Sequence, residues 1–185
     1  MVSFWGLHKN LVNYKDERLV EVGVNGTTYR TKEDSSPMAF LGLCFGDGDE
    51  YNLRIAEAIQ GAREHFGRRP TYVDPVLGSV LSGQGIDDYV TFSKPEGYLN
   101  TREAILKLGM RGLQDVVGPI LYIVHPAHAQ RALWIGAKLG YNGYPFLEKE
   151  VVWPGNDPQW FVQGPWGWAL REAGARFHHW KKKWI

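Results

Sequence analysis

The stretch ILYIVHPAHAQRA, residues 120–132, decides how this chain folds. Its apolar, β-branched first half predicts a buried strand over residues 120–124. Apolar residues then recur at steps of three and four from Ala129 to Leu139, which predicts a helix that ends at Gly140. The strand therefore gives way to a helix at His125 and Pro126.

Polar side chains stand at this predicted junction. His128 and Arg131 are three residues apart, so they share one face of the first helical turn if the helix starts near Ala127. Ligands of open α/β sheets bind at the carboxyl ends of the strands, and a helix start offers N–H groups and partial positive charge. The junction therefore favours an anionic or polar ligand. A helix cap and a surface ion pair are the alternative explanation.

The composition is that of an ordinary globular domain: 185 residues, of which 44% are hydrophobic and 22% charged. The net charge of +1 predicts no strong attraction to nucleic acid or anionic lipid. Residues 1–15 lack the pattern of a secretory signal, and no apolar run reaches the ~20 residues of a membrane helix. We therefore expect a cytoplasmic protein without nucleic-acid or membrane partners. Cys44, the single cysteine, lies in an apolar run and is expected to be a small buried residue.

The first part of the chain predicts a β-hairpin near residues 18–31, because Asn25-Gly26 stands between two strand-like runs. We divide the chain into this N-terminal hairpin extension, residues 1–38, and a main domain, residues 39–185.

The main domain opens with a second strand signal. The apolar run from Ala39 to Phe45 predicts a buried strand. Gly46-Asp47-Gly48-Asp49 follows, and then a helix pattern that ends at Gly67. Glycines at such a position let a ligand approach the backbone, and the aspartates suit a ribose hydroxyl, an amine or a metal. The alternative is an Asp/Gly-rich turn with a helix cap.

The remaining segments alternate between strand and helix patterns. The expected strands cover residues 71–77, with an interruption at Asp74-Pro75, and residues 89–92. A further strand is expected within residues 146–153, before Pro154. Residues 81–85 are expected to form a loop. One helix is expected to start at Asn100 or Thr101. A last helix is expected to bury a stripe formed by Trp166, Ala169, Leu170, Ala173, Phe177 and Trp180.

This alternation predicts an α/β fold: a Rossmann-like, mostly parallel sheet with helices on both faces, to which the N-terminal β-hairpin is added.

Several short motifs occur in a particular order along the main domain. They are Arg54 in the helix after the glycine loop, Ser82-Gly83, residues 99–104 (LNTREA), and residues 128–132 (HAQRA). In this order they resemble the YdcF/SanA/ElyC-like family, which has a Ser-Gly-Gly loop, a Ser-x-Asn-Thr-x-Glu-Asn-Ala segment and a His-x-x-Arg-Ala segment. The resemblance covers residues 39–180. It implies a Rossmann-like fold with a polar pocket and a nucleotide-type ligand, for which S-adenosylmethionine is one candidate.

The leading functional interpretation is a site for a nucleotide-type or other small anionic ligand at the strand ends, in a transferase, a hydrolase or a protein that only binds. Arg131 would hold a carboxylate or phosphate. His128 would act as general acid or base, and Glu103 would orient it or accept a hydrogen bond from an amine of the ligand. The other expected ligand-binding residues are Gly46, Asp47, Gly48, Arg54, Ser82, Gly83, Asn100, Thr101 and His125.

Two further interpretations stay open at this point. In a metal-assisted hydrolase, His125 and His128 would bind the metal together with Asp47 or Asp49. In a non-enzymatic interaction or sensor module, the hairpin and the tryptophan-rich C-terminal part would form a homo-oligomer through aromatic surfaces.

Overall fold

The computed structural model describes residues 19–24, 26–32, 36–93 and 99–181. Within them, six strands form one sheet in the order β1-β2-β6-β5-β3-β4. Strands β3 to β6 run parallel, whereas β1 and β2 pair antiparallel to their neighbours. The bounds are β1 Leu19–Val24, β2 Thr27–Lys32, β3 Ala39–Gly42, β4 Thr71–Val73, β5 Ile120–Ile123 and β6 Gly143–Glu148.

Helices cover both faces of the sheet, and side chains of β5 alternate between the two. Leu121 and Ile123 pack with α1 and α2, while Ile120 and Tyr122 pack with α3 and α4. The predicted Rossmann-like architecture, a mostly parallel sheet between two helical layers, is confirmed. No helix among the described residues has the length and apolar character needed to cross a membrane. The helices are α1 Asp49–Phe66, α2 Pro75–Gly83, α3 Thr101–Gly109, α4 Pro126–Lys138 and α5 Pro165–Lys181.

The predicted N-terminal hairpin is also confirmed, and it extends the main sheet. Gly26 takes the positive φ of +80° that the turn between β1 and β2 requires. Strand β2 pairs with β6, and the Tyr29 ring stacks on Phe146 with 4.7 Å between the ring centroids. The hairpin therefore shares its core with the parallel strands.

Residues 71–92 fold differently from the prediction. The strand ends at Val73, because the Asp74 side chain accepts hydrogen bonds from the amides of Val76 and Leu77 and so starts a helix. With Pro75 in the first turn, α2 runs to Gly83, so the loop expected from residue 81 was wrong in its first half. The strand expected at residues 89–92 was wrong as well, since only Val90 makes an isolated bridge to β4.

The last strand and the last helix also need correction. The strand expected within residues 146–153 is β6, which starts earlier, at Gly143, and ends at Glu148, well before Pro154. In α5, the predicted stripe was wrong: Trp166 and Leu170 are 67% and 68% exposed, whereas Trp168, Glu172 and Ala175 are buried. Contacts with α4 select this other face of the helix. The side chains at positions 177 and 180 lie outside the described residues.

The strand order creates a crevice at one edge of the sheet. From β3 the chain moves outward to β4 and then returns to the other side of β3 to form β5. Doubly wound sheets bind ligands where the connections diverge in this way, beyond the carboxyl ends of the two central strands. Here these ends are followed by residues 43–48 and 124–128.

Candidate functional site

A cavity of about 270 Å³ lies at the carboxyl ends of β3 and β5. Its walls come from distant parts of the chain: the segments after β3 and β4, the starts of α3 and α4, the segment 159–162, and α5. Apolar residues and polar groups both contribute. The polar lining residues are Cys44, Asp47, Asp74, Asn100, Thr101, His128, Arg131 and Gln159, and the larger apolar ones are Leu43, Phe45, Val76, Leu99, Phe161, Val162 and Trp168.

The cavity brings together about half of the residues proposed from the sequence. His128 and Arg131 line the same cavity as the glycine turn after β3, as the shared helical face predicted. The proposed residues that line the cavity are Gly46, Asp47, Asn100, Thr101, His128 and Arg131.

His128 is held in the wall as a neutral ring. It is 6% exposed, and its Nε2 lies 2.9 Å from Thr101 Oγ1. Burial, followed by the nearby charge of Arg131, lowers the pKa of His128 well below its usual value. Nδ1 is buried and has no hydrogen-bond partner among the described residues. An unpaired acceptor is more common in protein interiors than an unpaired N–H, so we infer that Nε2–H donates to Thr101.

With the proton on Nε2 of His128, the Thr101 hydroxyl is available as a hydrogen-bond donor to the cavity. When its oxygen accepts from His128, the Thr101 hydroxyl proton can be donated to a ligand. Thr101 is also the first residue of α3, where partial positive charge gathers. The pair therefore presents a hydrogen-bond donor beside Arg131.

The described contacts of Arg131 fix it against the cavity wall. Its Nη1 donates to Glu172 Oε2 at 2.8 Å, and its guanidinium lies over the Trp168 ring, 5.1 Å from the centroid. The Trp168 indole in turn donates to the carbonyl of Ala127 at 3.1 Å. A guanidinium carries five N–H donors, so this side chain can bind an anionic group while it keeps Glu172.

Asp74 is a cavity residue that sequence reasoning missed. Oδ1 accepts from the amides of Val76 and Leu77 at 3.0 Å each, and Oδ2 accepts from the amide of Cys44 at 2.5 Å. Burial raises the pKa of Asp74. The carboxyl group joins the end of β3 to the start of α2. The Asp-Pro pair was its signal, because aspartate before proline is typical of a helix start.

A strap formed by residues 157–163 covers the glycine loop. Asp157 is buried, and its Oδ2 accepts from the amide of Gly48 at 2.8 Å. Gln159 Nε2 donates to Asp47 Oδ2 at 2.5 Å. A Cβ atom at Gly46, which has φ +83°, would collide with the Asp157 carboxylate. These glycines therefore accommodate another part of the chain, a contact that no local pattern could reveal.

Several proposed residues lie outside the cavity. Arg54 pairs with Glu148 at 3.2 Å, and the amide of Gly48 is bound by Asp157. Ser82 and Gly83 border a second cavity next to Tyr89 and Thr91. The helical structure of residues 81–83 turns this motif away from the ends of the parallel strands.

Glu103 and His125 take other roles than the expected ones. Glu103 is exposed, and its amide is capped by Asn100 at 3.0 Å; Thr101, not Glu103, contacts His128. His125 is fully buried, with its ring stacked on Phe45 at 3.6 Å between centroids. It caps α4 by accepting from the amide of Ala127 and lies 2.9 Å from the carbonyl of Val152.

The residues proposed for a metal site are not arranged to bind one. In the part of the chain that the structure describes, no three His, Cys, Asp or Glu side chains are grouped to hold a metal ion. Both nitrogens of His125 are engaged by backbone groups. The metal alternative therefore has no geometric support among these residues.

Comparisons of the chain with protein-family models, with curated proteins and with solved structures find no match. The resemblance to the YdcF/SanA/ElyC-like family stays a prediction.

Proposed function

We propose that this protein binds a small organic ligand with an anionic group in the cavity beyond β3 and β5. The observation that carries the proposal is the convergence of Arg131, Thr101 and His128 with the glycine turn at the divergence point of the sheet. Nucleotide-type ligands, including S-adenosylmethionine, and other small anions all belong to this class.

The site has the mixed character of small-molecule pockets. Apolar side chains form much of the wall, and a few fixed polar groups would orient the ligand. Arg131 would bind the anionic group, and the Thr101 hydroxyl would donate a further hydrogen bond. A volume of about 270 Å³ lies near the lower end of such sites, which favours a compact ligand.

Binding has more support here than transferase or hydrolase chemistry. A general base must accept a proton, and burial lowers the pKa of His128 well below the neutral range. Its Nε2 is already bonded to Thr101. We therefore assign His128 a positioning role, in which it orients the Thr101 hydroxyl.

Native mass spectrometry of the freshly purified protein tests the proposal. We expect a bound small molecule that is lost from the Arg131→Ala variant and retained by Ser82→Ala, a matched change at the second cavity. Small-molecule extraction and fragmentation would then give its charge and class. Equal retention by the wild type and Arg131→Ala would contradict the proposal, as would failure of every anionic metabolite in a library to bind the purified protein.

An interaction module is the second candidate, and exposed aromatic surface favours it. Trp160 is 63% exposed, and Trp166 and Leu170 lie one turn apart on the outer side of α5. If these side chains form an interface between copies, the double variant Trp166→Ser/Leu170→Ser should sediment as a smaller species than the wild type. Identical sedimentation of the two proteins would reject this interface.

A further inference from the structure

We propose that the ligand is a compact apolar amino acid, bound by its carboxylate to Arg131 and by its ammonium group to Asp47. The inference rests on the proposed function and narrows its ligand class. It disfavours a phosphate-bearing nucleotide, because most helix starts around the cavity already have side-chain caps.

Three of the helix starts at this edge are already capped by side chains of the chain itself. Asp74 caps α2, Asn100 caps α3 and His125 caps α4. Before α1, Asp157 binds the amide of Gly48 at 2.8 Å. Phosphate groups of nucleotides normally bind at such amides. A phosphate would compete with these caps for the amides that they bind, so the architecture disfavours it.

Arg131 and Thr101 contribute hydrogen-bond donors to the lining of the cavity. One guanidinium that also binds Glu172 matches a singly charged carboxylate better than a doubly charged phosphate. A phosphate dianion would meet stronger repulsion from the acidic residues of the same walls, Asp47 and Asp74.

Asp47 provides the position for a positive group. Asp74 is buried and accepts three amide hydrogen bonds, so it has little capacity left for a ligand. Asp47 is exposed at the cavity, and Gln159 occupies only its Oδ2 in the described contacts. A ligand that carries a positive and a negative group therefore complements Asp47 and Arg131 better than a simple anion does.

The rest of the cavity suits an apolar side chain. Leu43, Val76, Leu99 and Phe161 contribute to its walls, and the volume of about 270 Å³ limits the size of the ligand. A branched or aromatic amino acid would bury its side chain there, while its charged end remains next to Arg131 and Asp47.

Isothermal titration calorimetry with matched ligands tests this inference. The probes are L-leucine and L-phenylalanine, the leucine analogues 4-methylpentanoate (without the amine) and 3-methylbutylamine (without the carboxylate), adenosine monophosphate and S-adenosylmethionine. We expect at least one amino acid to bind about tenfold more tightly than an analogue that lacks one charge, because a charge-assisted contact is lost.

Matched variants connect the binding to the two residues. Arg131→Met and Asp47→Asn should each weaken amino-acid binding about tenfold. The controls are Arg63→Met, an arginine paired with Asp88 outside the cavity, and Asp49→Asn, an exposed acidic residue of α1; both should bind as the wild type does. Circular dichroism verifies that each variant is folded, and Asp47→Asn removes no buried partner.

The results that would overturn the inference differ from the result that would overturn the proposed function. Arg131-dependent binding of adenosine monophosphate, or of S-adenosylmethionine without the amino acids, would refute the ligand class and leave the proposed function standing. Equal binding of L-leucine and 4-methylpentanoate would refute the role of Asp47. No binding of any probe would refute the amino-acid class, and mass spectrometry of the purified protein would then show whether the proposed function fails too.

Discussion

At the scale of single residues, burial decides the chemistry of the two histidines near the cavity. Both have lowered pKa values because the interior disfavours their charged forms. His125 satisfies its nitrogens with backbone groups and caps α4, while His128 binds Thr101 at the cavity wall. Two histidines three positions apart therefore have different roles, one in capping and one in orienting a hydroxyl.

The Thr101–His128 hydrogen bond should contribute to stability. In Thr101→Val, Nε2 of His128 would lose its partner inside the protein, and an unpaired buried group costs ~1–3 kcal/mol. Thr101→Ser keeps the hydroxyl and serves as the matched control. Urea unfolding measures the difference. Equal free energies of unfolding for the valine and serine variants would show that the hydrogen bond contributes nothing.

His125 should make stability depend on pH. Its folded pKa is lowered to about 3, whereas the unfolded chain binds a proton below about pH 6.5. The stability that the neutral His125 ring contributes is therefore fully present above about pH 6.5. As the pH falls below about 6.5, the free energy of unfolding decreases by up to about 1.4 kcal/mol per pH unit. His125→Asn keeps an acceptor for the Ala127 amide. Between about pH 6 and pH 4, it should reduce the pH dependence of the free energy of unfolding by about 1.4 kcal/mol per pH unit, the value for one proton. An unchanged slope in urea titrations would contradict the assignment.

At the scale of elements, a segment without regular strand structure completes the site. The strap is held by Asp157 on the glycine loop and by Gln159 on Asp47, and its Phe161 and Val162 form part of the cavity wall. Val162 also packs into the core. The strap is therefore held by an apolar side chain in the core and by polar hydrogen bonds that can break in a local opening of the structure.

Loss of the Asp157 contact should expose the cavity. Cys44 is the single cysteine and lines the cavity, so its reaction with a thiol reagent reports opening. Asp157→Ala removes the hydrogen bond between the Gly48 amide and the Asp157 carboxylate. A hydrogen bond to a charged group contributes ~1.5–3 kcal/mol, so the reaction of Cys44 with the reagent should be about tenfold faster or more.

Asp49→Ala, at an exposed position in the first turn of α1, is the control for this experiment. The reaction is followed at several low urea concentrations, because local opening depends on urea much less than global unfolding does. A wild-type rate in Asp157→Ala would show that the strap does not gate access. A rate that follows urea as steeply as global unfolding does would lead to the same conclusion.

At the scale of the whole molecule, the hairpin extends the main sheet through the pairing of β2 with β6. Tyr29 of β2 is buried and stacks on Phe146 of β6, and its backbone pairs with Glu148. Glu148 in turn accepts from the Tyr51 hydroxyl at 2.9 Å and pairs with Arg54. A polar and aromatic cluster thus joins the hairpin, β6 and α1.

Tyr29→Ala should therefore destabilise the whole protein, by ~3–5 kcal/mol as for other large aromatic truncations in a core. Arg30→Ala, an exposed neighbour on the same strand, is the control. Urea unfolding followed by tryptophan fluorescence should show one cooperative transition shifted to lower urea. An unshifted transition would mean that residues 39–181 fold independently of the hairpin.

The sequence by itself determined the architecture, because local periodicity carries that information. The apolar run at residues 120–124 and the helical stripe after it indicated β5 and α4, and Asn25-Gly26 indicated the hairpin. It also indicated that His128 and Arg131 share one face, since residues three apart on a helix are neighbours. Asp74-Pro75 carried a usable signal for α2 as well, but the apolar residues around it favoured a strand.

Only the tertiary structure decided the composition of the cavity. Asp157 lies 109 positions from Gly48, and Glu172 lies 41 positions from Arg131, so no local pattern relates them. The same limit explains the error in α5. Trp168 and Glu172 are buried because they contact α4, whereas Trp166 and Leu170, which the apolar pattern favoured, are exposed. Side chains that meet across a fold are selected by packing and by satisfied hydrogen bonds, and these become defined only when the distant segments come together.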